Sequence, residues 1–265
     1  MIGFIGVGNM GGTLARAAIR AVGAENVLVS SRTLEKAQRF AADTGCTAVM
    51  STETAARAQV LFLGVKPQGM RSMLAEIAPV LQARSDRFVL VSMAAGLSLQ
   101  QIADFSGGAY PILRIMPNTP AAVGEGMIPY CANELASSED AAELCRILQP
   151  AGRLDPLPEH LIDAAGALSG CGPAFVYVFL EALADAAVAC GMPRDKAIQY
   201  AAQTALGSAK LVLQTGTHPA ALKDAVCSPA GSTIRGVHAL EAGGFRAAAE
   251  NAVLAAYERS MELGK

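Results

Sequence analysis

The 265 residues suffice for one large or two medium domains, at roughly 100 to 200 residues each, and exclude a small disulfide-stapled scaffold. The 21 Lys plus Arg and 23 Asp plus Glu give a net charge of −2 with no run of like charge, which excludes the footprint of a nucleic-acid or anionic-membrane binder and leaves a small molecule as the ligand. Charged residues at 17% fall below the roughly 25% of ordinary soluble domains while hydrophobic ones reach 52%, so the polar surface is too small for a comfortable monomer and a homo-oligomer is expected.

Met1–Ile5 is a short buried strand by its continuous apolar character, and Asn9–Val22 carries apolar residues at helical spacing behind a glycine turn. The alternation continues with strand Asn26–Ser30, helix Thr33–Ala42, strand Val60–Val65, helix Pro67–Leu81 and strand Phe88–Ser92. Strand Ile112–Met116, a candidate strand at Met127–Cys131 and helix Ser137–Leu148 follow. Repeated strand and helix predict a parallel sheet covered on both faces.

Around Asp155-Pro-Leu-Pro158 the pattern changes. Beyond it only helical periodicity remains, over Glu159–Leu168, Pro173–Cys190, Arg194–Leu213, Pro219–Val226, Ser232–Glu241 and Phe245–Leu263. The expected fold class is α/β: an N-terminal Rossmann-like doubly wound sheet over residues 1–156, then an all-α C-terminal domain over 157–265. Half of the alanines lie in the last 106 residues, which suits helices packed closely across a subunit interface.

Gly6-Val-Gly-Asn-Met-Gly11 is a GxGxxG that follows a strand and opens a helix, the setting that turns a weak motif into a dinucleotide fingerprint. Gly6 suits the tight turn, Gly8 lets the backbone approach a pyrophosphate, and Gly11 lets helix and strand pack closely, while the helix start at Asn9 and Met10 offers N–H groups to the phosphates. At the end of the second strand an NAD enzyme presents an acid to the ribose hydroxyls; here the chain reads Ser30-Ser-Arg-Thr33. Ser31 and Arg32 suit a 2′-phosphate, so NADPH is expected in preference to NADH, with NADH still usable. Val65-Lys66-Pro67, Ala94 and Ala95 of Met93–Gly96, and Asn118 of Met116–Pro120 follow later strands and are expected to line the crevice that takes the reacting end of the cofactor. Each also has an ordinary role: Pro67 opens a helix, Lys66 points to solvent, and the alanines pack.

In the helical part, Ser228-Pro-Ala-Gly-Ser-Thr233 is an island of hydroxyls and turn formers between two apolar helices. Ser232 or Thr233 can start the next helix and leave N–H groups for a small carboxylate, or serve simply as a cap. Leu168–Phe175 is a second such island. The cysteines Cys46, Cys131, Cys145, Cys171, Cys190 and Cys227 form no CxxC pair, His160, His218 and His238 are isolated, and no metal site is expected. Free thiols, an apolar start without a basic flank and no unbroken apolar run of about 18 residues lead to the expectation of a soluble, cytoplasmic protein.

Taken together these segments resemble the pyrroline-5-carboxylate reductase family. The resemblance rests on Ile5–Gly11, Phe62–Pro67, Ser92–Gly96, Arg114–Pro120, Leu168–Phe175 and Val226–Ile234 followed by Leu240-Glu241. It implies reduction of the cyclic imine 1-pyrroline-5-carboxylate to L-proline by NADPH. It further implies that backbone groups of Ser232 and Thr233 hold the substrate carboxylate, that Val226, Ser228 and Gly231 lie nearby, and that the Thr233 hydroxyl acts catalytically at the imine nitrogen. By the same resemblance a homodimer is the building block, up to a larger ring such as a decamer. The family's commoner Pro-Gly-Gly-Thr-Thr is here Pro229-Ala-Gly-Ser-Thr233, so Ala230 tests whether that position needs a positive φ. Its Ser-Gly-Ser-Gly-Pro is here Ser169-Gly-Cys-Gly-Pro173. Two rivals stand beside this: a β-hydroxyacid dehydrogenase, for which Lys196, Lys210 and Lys223 lie outside the islands, and a dinucleotide-binding regulator without turnover.

Overall fold

The computed structural model describes residues 1–263; Gly264 and Lys265, included in the second domain as delimited above, lie outside the described residues. The chain divides into two compact units, Met1–Cys171 and Gly172–Ala255, with the residues from Ala256 on counted with the first.

The first unit opens with β1 (Ile2–Ile5), α1 (Asn9–Val22), β2 (Val27–Ser30), α2 (Leu34–Thr44), β3 (Thr47–Ala48), α3 (Ser51–Arg57), β4 (Val60–Leu63) and α4 (Pro67–Gln82). It continues with β5 (Val89–Ser92), α5 (Leu99–Ser106), β6 (Ile112–Ile115), β7 (Gly126–Ala132), α6 (Ser138–Leu148), β8 (Gly152–Pro156) and α7 (Glu159–Ala165). All eight strands form one sheet in the order β3-β2-β1-β4-β5-β6-β7-β8. Every residue of β1, β2, β4, β5 and β6 is buried, as expected where helices cover both faces. Alternate residues feed two cores: Phe4, Phe62, Val91 and Leu113 pack on the α1 and α6 side, and Ile5, Leu61, Leu90 and Ile112 on the α4 and α5 side. Phe4 and Phe62, paired in register across β1 and β4, stack at 4.4 Å.

The expectation of a parallel sheet holds through β6 and then needs correction. β7 runs antiparallel to β6, and β8 pairs parallel to β7, so the last two strands point the other way. A turn through Thr119–Val123 reverses the chain without a crossover helix, and antiparallel neighbours need none. Strand β4 stops at Leu63, short of Val65: the Gly64 N–H still donates to the Ile5 carbonyl at 2.7 Å, and the chain bends at Val65. The first unit extends to Cys171: Arg114 on β6 pairs with Asp163 of α7 at 2.6 Å, and beyond that helix the Ser169 carbonyl accepts the Asn118 amide at 2.9 Å.

The second unit contains α8 (Gly172–Ala189), α9 (Arg194–Thr215), α10 (Pro219–Ala225), α11 (Ser232–Ala242) and most of α12 (Phe245–Leu263). Gly191, Gly216 and Gly244 take positive φ at the joints between its helices. Within these helices only Ala184, Ala197 and Ala201 are buried among the described residues, while Tyr177, Val178, Leu213 and Leu254 stand exposed. Helices α8, α11 and α12 border an apolar groove lined by Phe175, Val178, Phe179, Leu183, Leu240 and Phe245. A bundle with so little core leaves its apolar faces for a partner. The helix runs on through the small residues at 166–172, making Glu159–Ala189 a stretch of 31 residues long and apolar enough, by length and composition, to cross a membrane.

Candidate active site

The first candidate region lies at the carboxyl end of β1, next to β4, where the order of strands reverses. In sheets of this kind the crevice at that point is where ligands bind. Gly6 turns there with φ +104, and its N–H donates to the Ser30 carbonyl at 2.8 Å. A Cβ on Gly6 would stand 2.5 Å from the Gly64 carbonyl oxygen, and one on Gly11 would strike the Gly6 carbonyl oxygen. A Cβ on Gly8 would meet nothing within 4 Å. Gly6 and Gly11 are therefore required by the protein itself, whereas Gly8 borders open space of the kind a close-lying phosphate would use. Gly8 is also the N-cap of α1, supplies no side-chain acceptor, and is followed by a first turn without acidic residues. The first-turn N–H groups at Asn9, Met10 and Gly11 thus keep a positive end of the helix toward that space.

The neighbouring strands bring the other expected residues to the same end of the sheet. Ser31 and Arg32 follow β2 directly beside the Gly6 turn, and Arg32 is exposed with no ion pair to an acidic side chain among the described residues. Lys66 is the N-cap of α4 and Pro67 its first residue, with Val65 just before them. After β5, Ala94 is buried and its N–H donates to Ser92 Oγ at 3.3 Å, while Ala95 is exposed. Asn118, after β6, is buried and its amide is spent within the protein: Nδ2 donates to the Ser169 carbonyl at 2.9 Å and Oδ1 accepts the Met127 N–H at 3.0 Å.

The second candidate region, in the other unit, is the loop between α10 and α11. Ala230 has φ +59, the sole non-glycine residue with positive φ among the described residues, which answers the question its replacement of glycine raised. The Gly231 N–H closes the turn onto the Ser228 carbonyl at 3.0 Å, and a Cβ on Gly231 would collide with Ser228 Oγ. Gly231 then N-caps α11 without a side-chain acceptor, so the N–H groups of Ser232 and Thr233 lack intrahelical partners and both residues are exposed. The turn is shaped to leave those donors open to an anion. Val226 lies 65% exposed at the other end of the loop.

Two features escape sequence reasoning. Gly64 completes the glycine contact at the switch point, and a glycine closing an apolar strand is the signal that marks it. Helix α5 is opened by a capping box between Ser98 and Gln101, legible as Ser followed three residues later by Gln. His218 has a structural task, its Nδ1 accepting the Ala220 N–H to cap α10.

Similarity to known proteins points the same way. A family model described as pyrroline-5-carboxylate reductase dimerisation matches residues 159–263, and one described as NADP oxidoreductase coenzyme F420-dependent matches residues 1–96. The pyrroline-5-carboxylate reductase of Escherichia coli is 42% identical over 100% of this chain and 98% of its own length. A crystal structure of the Plasmodium falciparum pyrroline carboxylate reductase with NADP bound superposes with a TM-score of 0.88 at 33% identity, covering 100% of this chain and 98% of that one. That of the Coxiella burnetii enzyme gives 0.91 at 31%, with the same coverage.

Proposed function

Because the chain belongs to the pyrroline-5-carboxylate reductase family, we propose that the two regions described above divide one reduction between them, the first holding the cofactor and the second the substrate. The protein is an oxidoreductase that converts 1-pyrroline-5-carboxylate to L-proline with NADPH. We assign NADP binding to residues 1–156 and substrate binding and dimerisation to residues 157–265, a functional division that falls ahead of the point after Cys171 where the two compact units part.

The cradle fits a dinucleotide: an open space at Gly8, an uncapped helix start and no acid at the end of β2. Gly6, Gly8, Asn9, Met10 and Gly11 hold the pyrophosphate, Ser31 and Arg32 the 2′-phosphate, and Val65, Lys66, Pro67, Ala94 and Ala95 line the nicotinamide end. Asn118, with its amide already engaged, contributes there by holding its loop in place. When bound, NADPH supplies the hydride to the imine carbon.

On the substrate side, the N–H groups of Ser232 and Thr233 bind the ring carboxylate without an arginine, with Val226, Ser228 and Gly231 shaping the pocket. As the C=N carbon is reduced, electron density moves onto nitrogen. The Thr233 hydroxyl donates a hydrogen bond there and stabilises the amine that forms. An imine that is protonated on entry already accepts hydride well, so orientation does most of the work and strong acids or bases are dispensable. The observation that carries this assignment is the uncapped start of α11 behind Ala230.

The protein is a homo-oligomer with a small-molecule substrate. The exposed apolar faces of the second unit favour a homodimer as the building block, extended to a ring such as a decamer, and account for the apolar run Glu159–Ala189 by subunit contact in a cytoplasmic protein without a membrane or nucleic-acid partner.

The testing experiment follows NADPH absorbance on addition of 1-pyrroline-5-carboxylate, with NADH and with a 3-hydroxy acid plus NADP as comparisons. Turnover of the imine, faster with NADPH, is expected. Faster turnover of the hydroxy acid would favour the dehydrogenase, and NADPH binding with no oxidation the regulator.

A further inference from the structure

Arg114 is the one charged residue buried among the described residues, 2% exposed in the middle of an apolar strand. A guanidinium is costly to bury unless its partners are well placed, so its contacts show what it is kept for. Nη2 pairs with Asp163 Oδ1 at 2.6 Å and Nη1 lies 3.7 Å from Glu159 Oε1, carboxylates one turn apart on α7. The same Glu159 oxygen accepts the Leu99 N–H at 2.6 Å, at the first residue of α5. Across the strands, Arg114 stands opposite Ser92 on β5 and Cys131 on β7. Burial and the Glu159 carboxylate push the Cys131 thiol up to about 11, so it stays neutral and leaves the guanidinium to the two carboxylates. The Nε of Arg114 has no hydrogen-bond partner among the described residues.

The Arg114 side chain therefore binds α7, Glu159 of α7 in turn holds the start of α5, and the Arg114 backbone is paired with β5, so these elements at the cofactor end of the sheet are linked through one residue. Ser92 is the root of the 93–97 loop, and Leu99, held through Glu159, is its far end. Arg114 itself lies two residues before Met116 and four before Asn118. Met116 would be met by a Cβ on Gly166 at 3.2 Å, and Asn118 binds the Ser169 carbonyl, so the loop after β6 and the wide helical turn Gly166–Gly170 are seated together. Packing of the core alone would have been served by Leu or Met at this position.

We propose that Arg114, with Glu159 and Asp163, is a positioning residue for hydride transfer: it fixes the 93–97 loop and the 116–120 segment against α7, and so sets the reacting end of the cofactor rather than its affinity. The proposal rests on the function assigned above. Without the fork the loops retain their sequence and their backbone donors but lose the shared anchor, and a displacement of about an ångström is enough to cost around a hundredfold in rate.

The experiment compares the wild-type protein with Arg114→Met, Arg114→Lys and Glu159→Gln. Wild-type turnover of the imine checks the functional assignment separately from the variants. In Arg114→Met, kcat is expected to fall at least tenfold with NADPH affinity, by fluorescence titration, within twofold, and with a larger isotope effect on kcat from C4-deuterated NADPH. Arg114→Lys, which keeps the charge but not the fork, should recover part of kcat, and Glu159→Gln should lose at least threefold. Should Arg114→Met fail to fold, Arg114→Lys and Glu159→Gln carry the same test. Unchanged kcat in the folded variants, or a loss that tracks NADPH affinity or folded fraction with no change in isotope effect, would overturn the proposal.

Discussion

Gly6 and Gly64 meet at the ends of adjacent strands so closely that a methyl group on Gly6 would lie 2.5 Å from the Gly64 carbonyl oxygen. The contact separates two reasons for glycine within one motif. Gly6→Ala must force a clash and a positive φ, and is expected to destabilise the protein by about 2–3 kcal/mol or more. Gly8→Ala adds its methyl to open space and should leave the melting temperature unchanged, yet weaken NADPH binding by about tenfold or more, because the phosphates need that space. Thermal melts and a fluorescence titration of both variants make the test; normal NADPH affinity in Gly8→Ala would remove the pyrophosphate from this turn.

Arg32, exposed beside the Gly6 turn without an acidic partner among the described residues, should matter only to the phosphorylated cofactor. A charge-assisted hydrogen bond is worth about 1.5–3 kcal/mol, so Arg32→Ala should raise KM for NADPH by about 10- to 100-fold and leave that for NADH nearly unchanged. An unaltered ratio of kcat/KM between the two cofactors would refute the role.

Thr233 offers both a backbone donor and a hydroxyl at the start of α11. Thr233→Ala keeps the first and deletes the second. It is expected to lower kcat/KM for the imine by about tenfold, the worth of one hydrogen bond to the nitrogen as electron density moves onto it, with NADPH affinity intact. Equal kcat/KM in steady-state assays would take the hydroxyl out of the reaction.

What is legible in the sequence follows from which signals are local. The apolar runs of β1, β4 and β5 and the glycines after β1 announce themselves within a few residues, and the structure joins them in register. Helix α3 and strand β3 escape because seven and two residues are too few to show a period. Strand β8 escapes because it lies at the sheet's edge with Arg153 and Asp155 in a largely unburied run, which erases the apolar pattern. The reversal at β7 depends on a turn through Thr119–Val123 whose direction no periodicity encodes. Of the candidate sites, the island 228–233 is readable as composition, but the engagement of Asn118 by Met127 and Ser169 depends on partners far along the chain. Arg114 in an otherwise apolar strand is a visible anomaly, and only its carboxylates on α7 give it meaning.

Ala230 makes the last prediction. Its φ of +59 places a Cβ in the left-handed region, at a cost of about 1–2 kcal/mol for a residue other than glycine. The related motif carries glycine there, which would remove that cost but add disorder to the unfolded chain worth roughly 0.4–1 kcal/mol. The strain outweighs the entropy, so Ala230→Gly should be more stable by about 0.5–1 kcal/mol, seen as a rise in Tm of about 1–3 °C for a chain of this size. The strained turn is also what aims the Ser232 and Thr233 donors, and Gly231 leaves no room for it to shift toward Ser228. Freedom at position 230 should therefore raise KM for the imine by a few fold while Tm goes up. A drop in Tm would mean that the positive φ is not costing the fold, and that alanine is held there by something other than the demands of the turn.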